Sequence, residues 1–289
     1  MEPTTSARRR IATLTRHLTA GRSTHTGGKR ILITGAGTGI GRAAALALAK
    51  RGHTVYATTV SEAQARGINL LGVRGLSAFK LDVTDTADCN KITSLDLDVL
   101  LNNAGVGYSG SLAEVDLDLV RKNYEVNCIA SLRLTQLALK KMIPARRGTI
   151  MFVSSIGGRV PFPFVGSYCM TKYALEAAGE ALRAEMEHLG ANIKVCLIEP
   201  GPYSTGFNQS IMGNKFDWMK QRGRSYWSAA QVAELEKSDK EQLAALESGD
   251  ISTIVDKIVT ACEAAEPEVR YVAPEGIFKE IVKPAEIAR

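Results

Sequence analysis

The sequence predicts an α/β protein built on one doubly wound parallel sheet with helices on both faces. Short apolar segments alternate with helical segments from residue 30 onward, which is the order that a parallel sheet requires. These apolar segments show little alternation between polar and apolar residues, so we expect both faces of the sheet to be covered. No change of composition divides the chain after residue 30. We therefore expect an extension over 1–28 and a single domain over 29–289.

Six strands are predicted where apolar and β-branched residues run together between turn residues. They cover 30–34, 53–60, 76–83, 97–105, 148–155 and 191–200. Helices are predicted in the segments between the strands, and the first of them ends at Gly52 because glycine favours a helix end. The clearest helices cover 41–52, 115–143 and 167–189.

The net charge of +6 is concentrated at the start of the chain. Residues 1–30 hold seven basic residues against one acidic residue, Glu2, which leaves 29 residues of each sign in the remainder. A neutral body gives no electrostatic support for nucleic-acid binding. Residues 1–28 are rich in serine, threonine and arginine. We expect a flexible extension on a cytoplasmic protein, with an organelle transit peptide as the alternative.

The residue pattern gives no support for a membrane, disulfide or metal protein. No run approaches about 18 uninterrupted apolar residues, so no membrane-spanning helix is predicted. The five cysteines are far apart and form no CxxC pair, which favours a reducing compartment. None of the four histidines pairs with another histidine or a cysteine at ligand spacing, so we predict no metal.

The segment 206–249 is too long for a simple connection between a strand and a helix. It holds both tryptophans of the chain, Trp218 and Trp227, together with several phenylalanine and methionine residues. Such an insertion is typical of a lid over a binding site. The alternative is a helical pair that caps the sheet or contacts another subunit.

A glycine-rich turn, ITGAGTGIGR, joins the first predicted strand to the first predicted helix. Glycine allows a sharp turn and lets backbone N–H groups approach a pyrophosphate, and the helix N-terminus that follows carries a partial positive charge. The turn therefore predicts a nucleotide site, with Gly35, Gly37, Gly39 and Gly41 at the phosphates.

The end of the second strand bears on which dinucleotide binds. Most NAD-binding folds place an acidic residue there to hold the ribose 2′-hydroxyl. Thr59 stands at this position, and neither it nor Val60 is charged. Loss of the acidic group removes a repulsion against a 2′-phosphate, so the sequence favours NADP slightly and leaves NAD open.

Several motifs in fixed order resemble those of the short-chain dehydrogenase/reductase family over about residues 30–205. TGAGTGIG (34–41) resembles the family's glycine loop, LDVTD (81–85) its adenine-side segment, and NNAG (102–105) the motif after its fourth strand. YCMTK contains the YxxxK motif, and a serine lies 13 residues before its tyrosine. PGPYST (200–205) resembles the segment that holds the nicotinamide carboxamide. The chain is most similar to the hydroxysteroid- and retinol-dehydrogenase-like branch.

This resemblance implies a Rossmann-type fold and an NAD(P)-dependent oxidoreductase that transfers hydride between nicotinamide and a carbonyl or secondary alcohol. It also implies a homodimer or homotetramer formed through the helices at 115–143 and 167–189. The aromatic and methionine content of 206–249 favours a bulky apolar substrate. The implied catalytic residues are Asn127, Ser155, Tyr168 and Lys172. The implied cofactor-binding residues are the four glycines, Thr38, Ile40, Thr59, Asp82, Val83, Asn103, Ala104, Gly105, Tyr168, Lys172, Pro200, Gly201 and Thr205.

The residue types suit this chemistry. A tyrosine hydroxyl has a pKa of about 10, and a nearby ammonium lowers it. Because Tyr168 and Lys172 are four residues apart on a predicted helix, we expect Lys172 to lower the pKa of Tyr168, which then acts as a general acid or base. Ser155 ends a strand and can donate to a substrate carbonyl. Asn127 is a poor residue for a helix interior, so we predict a local helix break there and a water link to Lys172.

Two other functions stay open from the sequence. A sugar-nucleotide epimerase or dehydratase would keep the fold, but the short C-terminal region and the spacing of the glycines disfavour it. A non-catalytic module that senses NAD(P) would bind the cofactor without turnover. The intact set of Ser155, Tyr168 and Lys172 disfavours this second alternative.

Overall fold

The computed structural model describes residues 28–221 and 225–287, so residues 1–27 of the predicted extension lie outside it. Within these ranges seven strands form one sheet in the order β3-β2-β1-β4-β5-β6-β7, and every neighbouring pair is parallel. The predicted α/β class with a doubly wound parallel sheet is confirmed. The strands are β1 (Arg30–Ile33), β2 (Thr54–Thr59), β3 (Leu76–Lys80), β4 (Val99–Asn102), β5 (Gly148–Val153), β6 (Ile193–Pro200) and β7 (Arg270–Ala273).

Helices follow most of the strands and cover both faces of the sheet. The main ones are α1 (Gly39–Lys50), α2 (Glu62–Asn69), α3 (Thr86–Asn90), α4 (Leu117–Tyr124), α5 (Ala130–Ala145), α6 (Gly166–His188), α7 (Phe207–Gln221), α8 (Ala229–Leu246) and α9 (Ser252–Glu263). Two short helices, α10 (Glu275–Ile277) and α11 (Lys283–Ile287), end the described chain. Across the described ranges, no helix combines the length and the apolar character that crossing a membrane requires.

The sheet is buried on both faces, as the unbroken apolar strands predict. Successive side chains of a strand point to opposite faces. Ile31 and Ile33 of β1 pack in the layer formed with α1 and α9, whereas Leu32 packs in the layer formed with α5 and α6. All three are fully buried. Two apolar layers therefore hold the sheet between helices.

The structure adds one strand and divides one helix relative to the sequence prediction. β7 was not predicted, because its four residues, RYVA, alternate between partly and fully buried positions instead of forming an apolar run. The helix predicted over 115–143 is divided into α4 and α5 by a π-helical turn, Glu125–Ile129. Asn127 lies in the middle of this turn, so the predicted local break is confirmed.

The strand order changes direction at β1, which has β2 on one side and β4 on the other. The connections after β1 and β4 consequently run to opposite faces and leave a crevice at the carboxyl ends of the strands, where α/β proteins bind ligands. The glycine loop follows β1 and the NNAG segment follows β4, so both border this crevice.

Candidate active site

A cleft of about 1150 Å³ lies at this edge of the sheet. It brings together all but one of the residues that the sequence predicted for the cofactor and for catalysis. The exception is Asn127, which lies behind the cleft wall. The predicted residues that line the cleft are Gly35, Gly37, Thr38, Gly39, Ile40, Gly41, Thr59, Asp82, Val83, Asn103, Ala104, Gly105, Ser155, Tyr168, Lys172, Pro200, Gly201 and Thr205.

The glycine loop is shaped both by turns and by close packing. Gly35 and Gly39 have φ values of 64° and 55°, in the left-handed region that glycine tolerates. A Cβ at Gly35 would lie 2.7 Å from the Cα of Ala104, and one at Gly41 would lie 2.4 Å from the Nδ2 of Asn103. These two glycines therefore leave room for the NNAG segment, beyond the room for phosphates that the sequence predicted.

The N-terminus of α1 has the features of an anion-binding site. Thr38 is its N-cap residue, but its side chain makes no capping hydrogen bond, and the first turn of this described helix holds no acidic residue. The N–H groups of the first turn have no partner within the helix and carry its partial positive charge. Since they face the cleft beside the glycines, the residues present fit a dinucleotide pyrophosphate.

Asn103 holds the glycine loop in place. Its Nδ2 donates to the carbonyl oxygens of Thr34, at 2.8 Å, and of Gly35, at 3.2 Å. The Thr34 hydroxyl in turn accepts from the backbone N–H groups of Asn103 and Ala104, both at 2.9 Å. The amide that the sequence assigned to the cofactor is thus engaged by the loop that would cradle it.

The residues at the end of β2, which border the far end of the cleft, carry no charged side chain. The Thr59 hydroxyl donates to the backbone carbonyl of Ser61 at 2.8 Å, which leaves its oxygen lone pairs as acceptors. The Asp82 carboxylate accepts from the backbone and the hydroxyl of Thr84, at 2.9 and 2.7 Å. Gln64 lines the same end beside Gly37. These residues fit an adenosine without adding a basic group for a 2′-phosphate.

Ser155, Tyr168 and Lys172 meet where β5 and α6 face the cleft. Ser155 follows β5 in extended backbone, and its Oγ accepts from the N–H of Gly157 at 3.1 Å. Ser155 also hydrogen-bonds the Tyr168 hydroxyl. Lys172, one helical turn along α6, has its Nζ 5.4 Å from the centre of the Tyr168 ring and donates to the carbonyl oxygen of Val153 at 2.8 Å.

Burial favours the neutral form of both titratable groups. Removal from water raises the pKa of Tyr168 well above its ordinary value, and the hydrogen bond with Ser155 offsets only part of that. Burial lowers the pKa of Lys172 to about 8. The pKa of Tyr168 is therefore raised and not lowered as the sequence led us to expect, because desolvation outweighs the hydrogen bond with Ser155, while the Lys172 ammonium is bonded to the Val153 carbonyl. Tyr168 therefore keeps its proton at neutral pH.

Asn127 connects the catalytic helix to the loop after β4. Its Oδ1 accepts from the N–H of Val106, and its Nδ2 donates to the carbonyl of Val106 and to the Thr171 hydroxyl, all at 2.9 Å. The Thr171 hydroxyl donates in turn to the carbonyl of Tyr168 at 2.7 Å. Asn127 therefore positions the turn that carries Tyr168. Its predicted water link to Lys172 stays a prediction.

The segment 206–249 forms the helical pair α7 and α8, and both helices present a stripe of side chains to the cleft. Phe207 at the start of α7 contacts Tyr168, with ring centres 5.9 Å apart. The side chain of Trp218 lies outside the described part of the chain. The stripe of α7 is Phe207, Asn208, Ile211, Met212 and Lys215, and that of α8 is Leu235, Ser238, Asp239, Gln242, Leu243 and Leu246.

The loop between the two helices is anchored to the body of the domain. The buried carboxylate of Glu114 accepts from the Ser225 hydroxyl at 2.7 Å and from the N–H of Tyr226 at 3.0 Å. The rings of Trp227 and Phe164 meet edge to face, with centres 5.1 Å apart. The helical pair is consequently fixed both at its loop and at Phe207.

A family profile described as short chain dehydrogenase matches residues 29–215, about two thirds of the chain. The chain belongs to the short-chain dehydrogenase/reductase family. As the sequence predicted, it is an oxidoreductase that acts on CH–OH groups, and its family supports a nicotinamide cofactor.

Relatives and solved structures agree with this family. Human 17-beta-hydroxysteroid dehydrogenase type 6 is 31% identical over 274 residues, covering 86% of this chain and 81% of that protein. The 3-ketodihydrosphingosine reductase of Bacteroides thetaiotaomicron is 36% identical over 186 residues, covering 62% and 66%. A short-chain dehydrogenase structure from Streptomyces avermitilis has a TM-score of 0.74 at 26% identity, covering 91% and 94%.

Sequence reasoning missed the cleft-facing residues of α7 and α8 and the anchor at Glu114. The stripe of α7 follows helical spacing, so a search for periodicity in 206–249 could have found it. Glu114 lies in an irregular segment more than 100 residues from Ser225, and nothing in its own neighbourhood indicates that partner. Only the fold brings the two together.

Proposed function

We propose that this short-chain dehydrogenase/reductase transfers hydride between the nicotinamide of NAD(P) and the carbonyl carbon of a bulky apolar ketone or aldehyde, or the matching alcohol. The observation that carries the proposal is the meeting of Ser155, Tyr168 and Lys172 in one cleft with the uncapped N-terminus of α1. A proton donor and an anion cradle in the same cleft are what reduction of a carbonyl by a dinucleotide requires.

The proton step belongs to Tyr168. Because burial keeps its hydroxyl protonated, Tyr168 donates to the substrate oxygen as negative charge develops there, and it takes the proton back in the oxidative direction. Ser155 donates a hydrogen bond to the same oxygen and stabilises that charge. The Lys172 ammonium, 5.4 Å from the Tyr168 ring centre, stabilises the anion that Tyr168 leaves. The bound cofactor supplies or accepts the hydride.

The cofactor would lie along the carboxyl edge of the sheet. The glycine loop and the first turn of α1 would hold the pyrophosphate, Asp82 and Val83 would border the adenine, and Thr59 would face its ribose; all of them line the cleft. Pro200, Gly201 and Thr205 would hold the carboxamide end, and Lys172 would contact the nicotinamide ribose. The uncharged end of β2 accepts NADP or NAD, and its missing acidic group favours NADP slightly.

The helices α7 and α8 act as a lid over the substrate. Six of the eleven side chains in their stripes are apolar, including Phe207, Ile211, Met212 and Leu243. Apolar walls of this kind favour a large apolar substrate. Two relatives are named for a hydroxysteroid and for 3-ketodihydrosphingosine, which agrees with such a substrate.

We further propose a cytoplasmic homodimer or homotetramer, formed through α4, α5 and α6. Large apolar side chains on this face are exposed, among them Leu117, Ile129 and Met170. Exposed apolar groups on packed helices favour a subunit contact. Light scattering on the purified protein measures the state, and a monomer at micromolar concentration would contradict this part of the proposal.

Titration with NADPH and NADH tests the cofactor site, followed by turnover with a panel of bulky ketones. We expect quenching of tryptophan fluorescence by at least one dinucleotide and cofactor oxidation that depends on the ketone. Binding without turnover on any carbonyl would favour the sensing module. Turnover of a nucleotide sugar alone would favour the epimerase or dehydratase.

A further inference from the structure

An ion pair interrupts the otherwise mainly apolar wall that α7 and α8 give to the cleft. The Nζ of Lys215 on α7 donates to Oδ2 of Asp239 on α8, and both residues line the cleft. The Lys215 side chain is only 1% exposed, whereas that of Asp239 is 23% exposed. The ammonium lies 4.6 Å from the centre of the Phe216 ring. The carboxylate is therefore the accessible member of the pair, with the ammonium behind it.

Joining the two helices does not by itself account for a buried pair. Removing two charges from water costs free energy that their attraction often only offsets, so apolar side chains at such positions are commonly as stable. A second ion pair, between Lys220 and Glu236, joins the same two helices at the surface and lies outside the cleft lining. The buried pair thus has a property that the surface pair lacks: it faces the substrate cleft.

One oxygen of Asp239 is available to a ligand. Its Oδ2 is bonded to Lys215, whereas no hydrogen bond from the described residues reaches its Oδ1. Because the ammonium behind it balances the carboxylate, the pair as a whole is neutral. A second anion would be repelled by Asp239, and a cation would compete with Lys215 for it. A neutral donor such as an alcohol hydroxyl fits without disturbing the pair.

The position of the pair along α7 gives its separation, along the helix axis, from the residue that contacts Tyr168. Phe207 contacts the Tyr168 ring, and Lys215 follows it by eight residues on the same helix. Eight residues of α-helix span about 12 Å along the axis. The polar group therefore lies well away from Tyr168, with Ile211 and Met212 forming the apolar wall between them.

We propose that Asp239, held by Lys215, recognises a hydroxyl group on the substrate about 12 Å from the carbon that exchanges hydride. The substrate class is then an elongated apolar hydroxyketone or diol. This inference rests on the proposed function of the same cleft, and it names what distinguishes a good substrate from other apolar ketones.

Three ketones of equal length test the proposal in the full chain: one with a plain alkyl end, one with a terminal hydroxyl about 12 Å from the carbonyl, and one with a terminal carboxylate. A hydrogen bond to a charged acceptor supports at least about tenfold discrimination, so we expect kcat/KM to be that much higher for the hydroxyketone than for the plain ketone. The carboxylate should be the poorest of the three.

The matched variants are Lys215→Met with Asp239→Leu, and, as control, Lys220→Met with Glu236→Leu. Removal of the buried pair should bring the ratio of kcat/KM between hydroxyketone and plain ketone to about one. The surface control should keep the wild-type ratio. Thermal unfolding and dinucleotide binding establish that each variant is folded.

Two outcomes overturn this inference alone: wild-type turnover of both ketones with equal kcat/KM, or a folded buried-pair variant that keeps the preference. Wild-type discrimination among the three ketones is measured without any variant, so the proposal stays testable if the buried-pair variant does not fold. If the wild type binds dinucleotide but turns over no carbonyl, the proposed function itself is contradicted, and this inference with it.

Discussion

At the residue scale, the two titratable groups of the site differ in the pH at which they change charge. Burial raises the pKa of Tyr168, so its hydroxyl stays protonated throughout the neutral and mildly alkaline range. Burial lowers the pKa of Lys172 to about 8, so the ammonium is charged below that pH and neutral above it. We therefore infer that Lys172 is the group that limits activity at alkaline pH.

We predict that kcat/KM for carbonyl reduction falls as pH rises through about 8, with the slope of a single proton. The loss follows because a neutral Lys172 no longer stabilises the anion left by Tyr168. A pH profile measured at saturating cofactor checks this. The residual rate of Lys172→Met should lack this fall, and a wild-type profile that stays flat beyond pH 9.5 would contradict the assignment.

Asn127 and Asn123 form a matched pair of buried amides for testing a positioning role. Asn123 bonds the N–H and carbonyl of Tyr108, at 2.9 and 2.7 Å, just as Asn127 bonds those of Val106. Only Asn127 also reaches Thr171, next to the catalytic turn. The two side chains thus share a structural task. Asn127 bonds a side chain of α6 directly, whereas Asn123 is linked to α6 through the Tyr108 carbonyl, which also accepts from the Ser167 hydroxyl at 2.6 Å.

We expect Asn127→Ala and Asn123→Ala each to lower the free energy of unfolding by about 1–3 kcal/mol, because buried backbone groups lose their partners. Only Asn127→Ala should also reduce kcat, by about tenfold or more, through the turn that carries Tyr168. Thermal unfolding and steady-state kinetics measure both effects. An equal loss of kcat in the two variants would show that Asn127 has only a structural role.

At the element scale, the helical pair α7 and α8 depends on Glu114 for the attachment of its loop. Glu114→Ala removes the acceptor of Ser225 and Tyr226, so we expect a rise of about threefold to thirtyfold in KM for a bulky ketone and a smaller change in kcat. Ser225→Ala removes one of the two donors and should have a smaller effect. Unchanged KM in Glu114→Ala would show that the loop anchor does not shape the substrate site.

The sequence predicts six of the strands because long apolar runs between turn residues are a local property. Asn127 also indicates the π-helical turn from the sequence alone, because asparagine disfavours a regular helix interior. β7 reads RYVA, which gives only a weak strand pattern, and its place at the edge of the sheet depends on β6. The sequence also locates the segment 206–249 at the cleft as an insertion, whereas the partners that fix its loop, Glu114 and Phe164, lie outside it.

At the scale of the whole molecule, a buried charge network joins α6, β6, β7 and the last helix. Glu199 of β6 is fully buried and pairs with Arg159, at 3.1 Å, and with Arg270, at 2.9 Å. Arg270 also pairs with Glu176 at 3.2 Å, and Arg159 pairs with Glu286. Burial raises the pKa of Glu199 to about 7 despite these arginines.

A carboxyl group whose pKa is raised in the folded state contributes stability at low pH and loses it as pH rises through that pKa. We therefore predict that the contribution of Glu199 falls by about 1–3 kcal/mol between pH 5 and 7.5, and that Glu199→Gln flattens this fall. Urea unfolding at a series of pH values measures it. Parallel curves for the wild type and Glu199→Gln would contradict the prediction. Glu263, whose pKa an ion pair with Arg51 lowers to about 2, affects stability only in stronger acid.

The composition of the site follows from local motifs, whereas its electrostatics depend on the fold. The spacing of Ser155, Tyr168 and Lys172 identifies the three side chains, and the structure brings them into one cleft. The direction of the Tyr168 pKa shift could not be predicted from that spacing, because it depends on burial, which outweighs the hydrogen bond with Ser155. The same holds for the Lys215 and Asp239 pair, whose members lie on different helices.

The most direct test of the account is carbonyl reduction by Tyr168→Phe, measured beside the wild type with dinucleotide binding as the reference. Phenylalanine keeps the ring contact with Phe207 and removes only the hydroxyl. We predict unchanged dinucleotide affinity and a loss of about 10²–10⁴-fold in kcat, which is the rate contribution that a general acid typically makes. Near-full turnover by the variant would show that another group delivers the proton and would contradict the assignment of Tyr168.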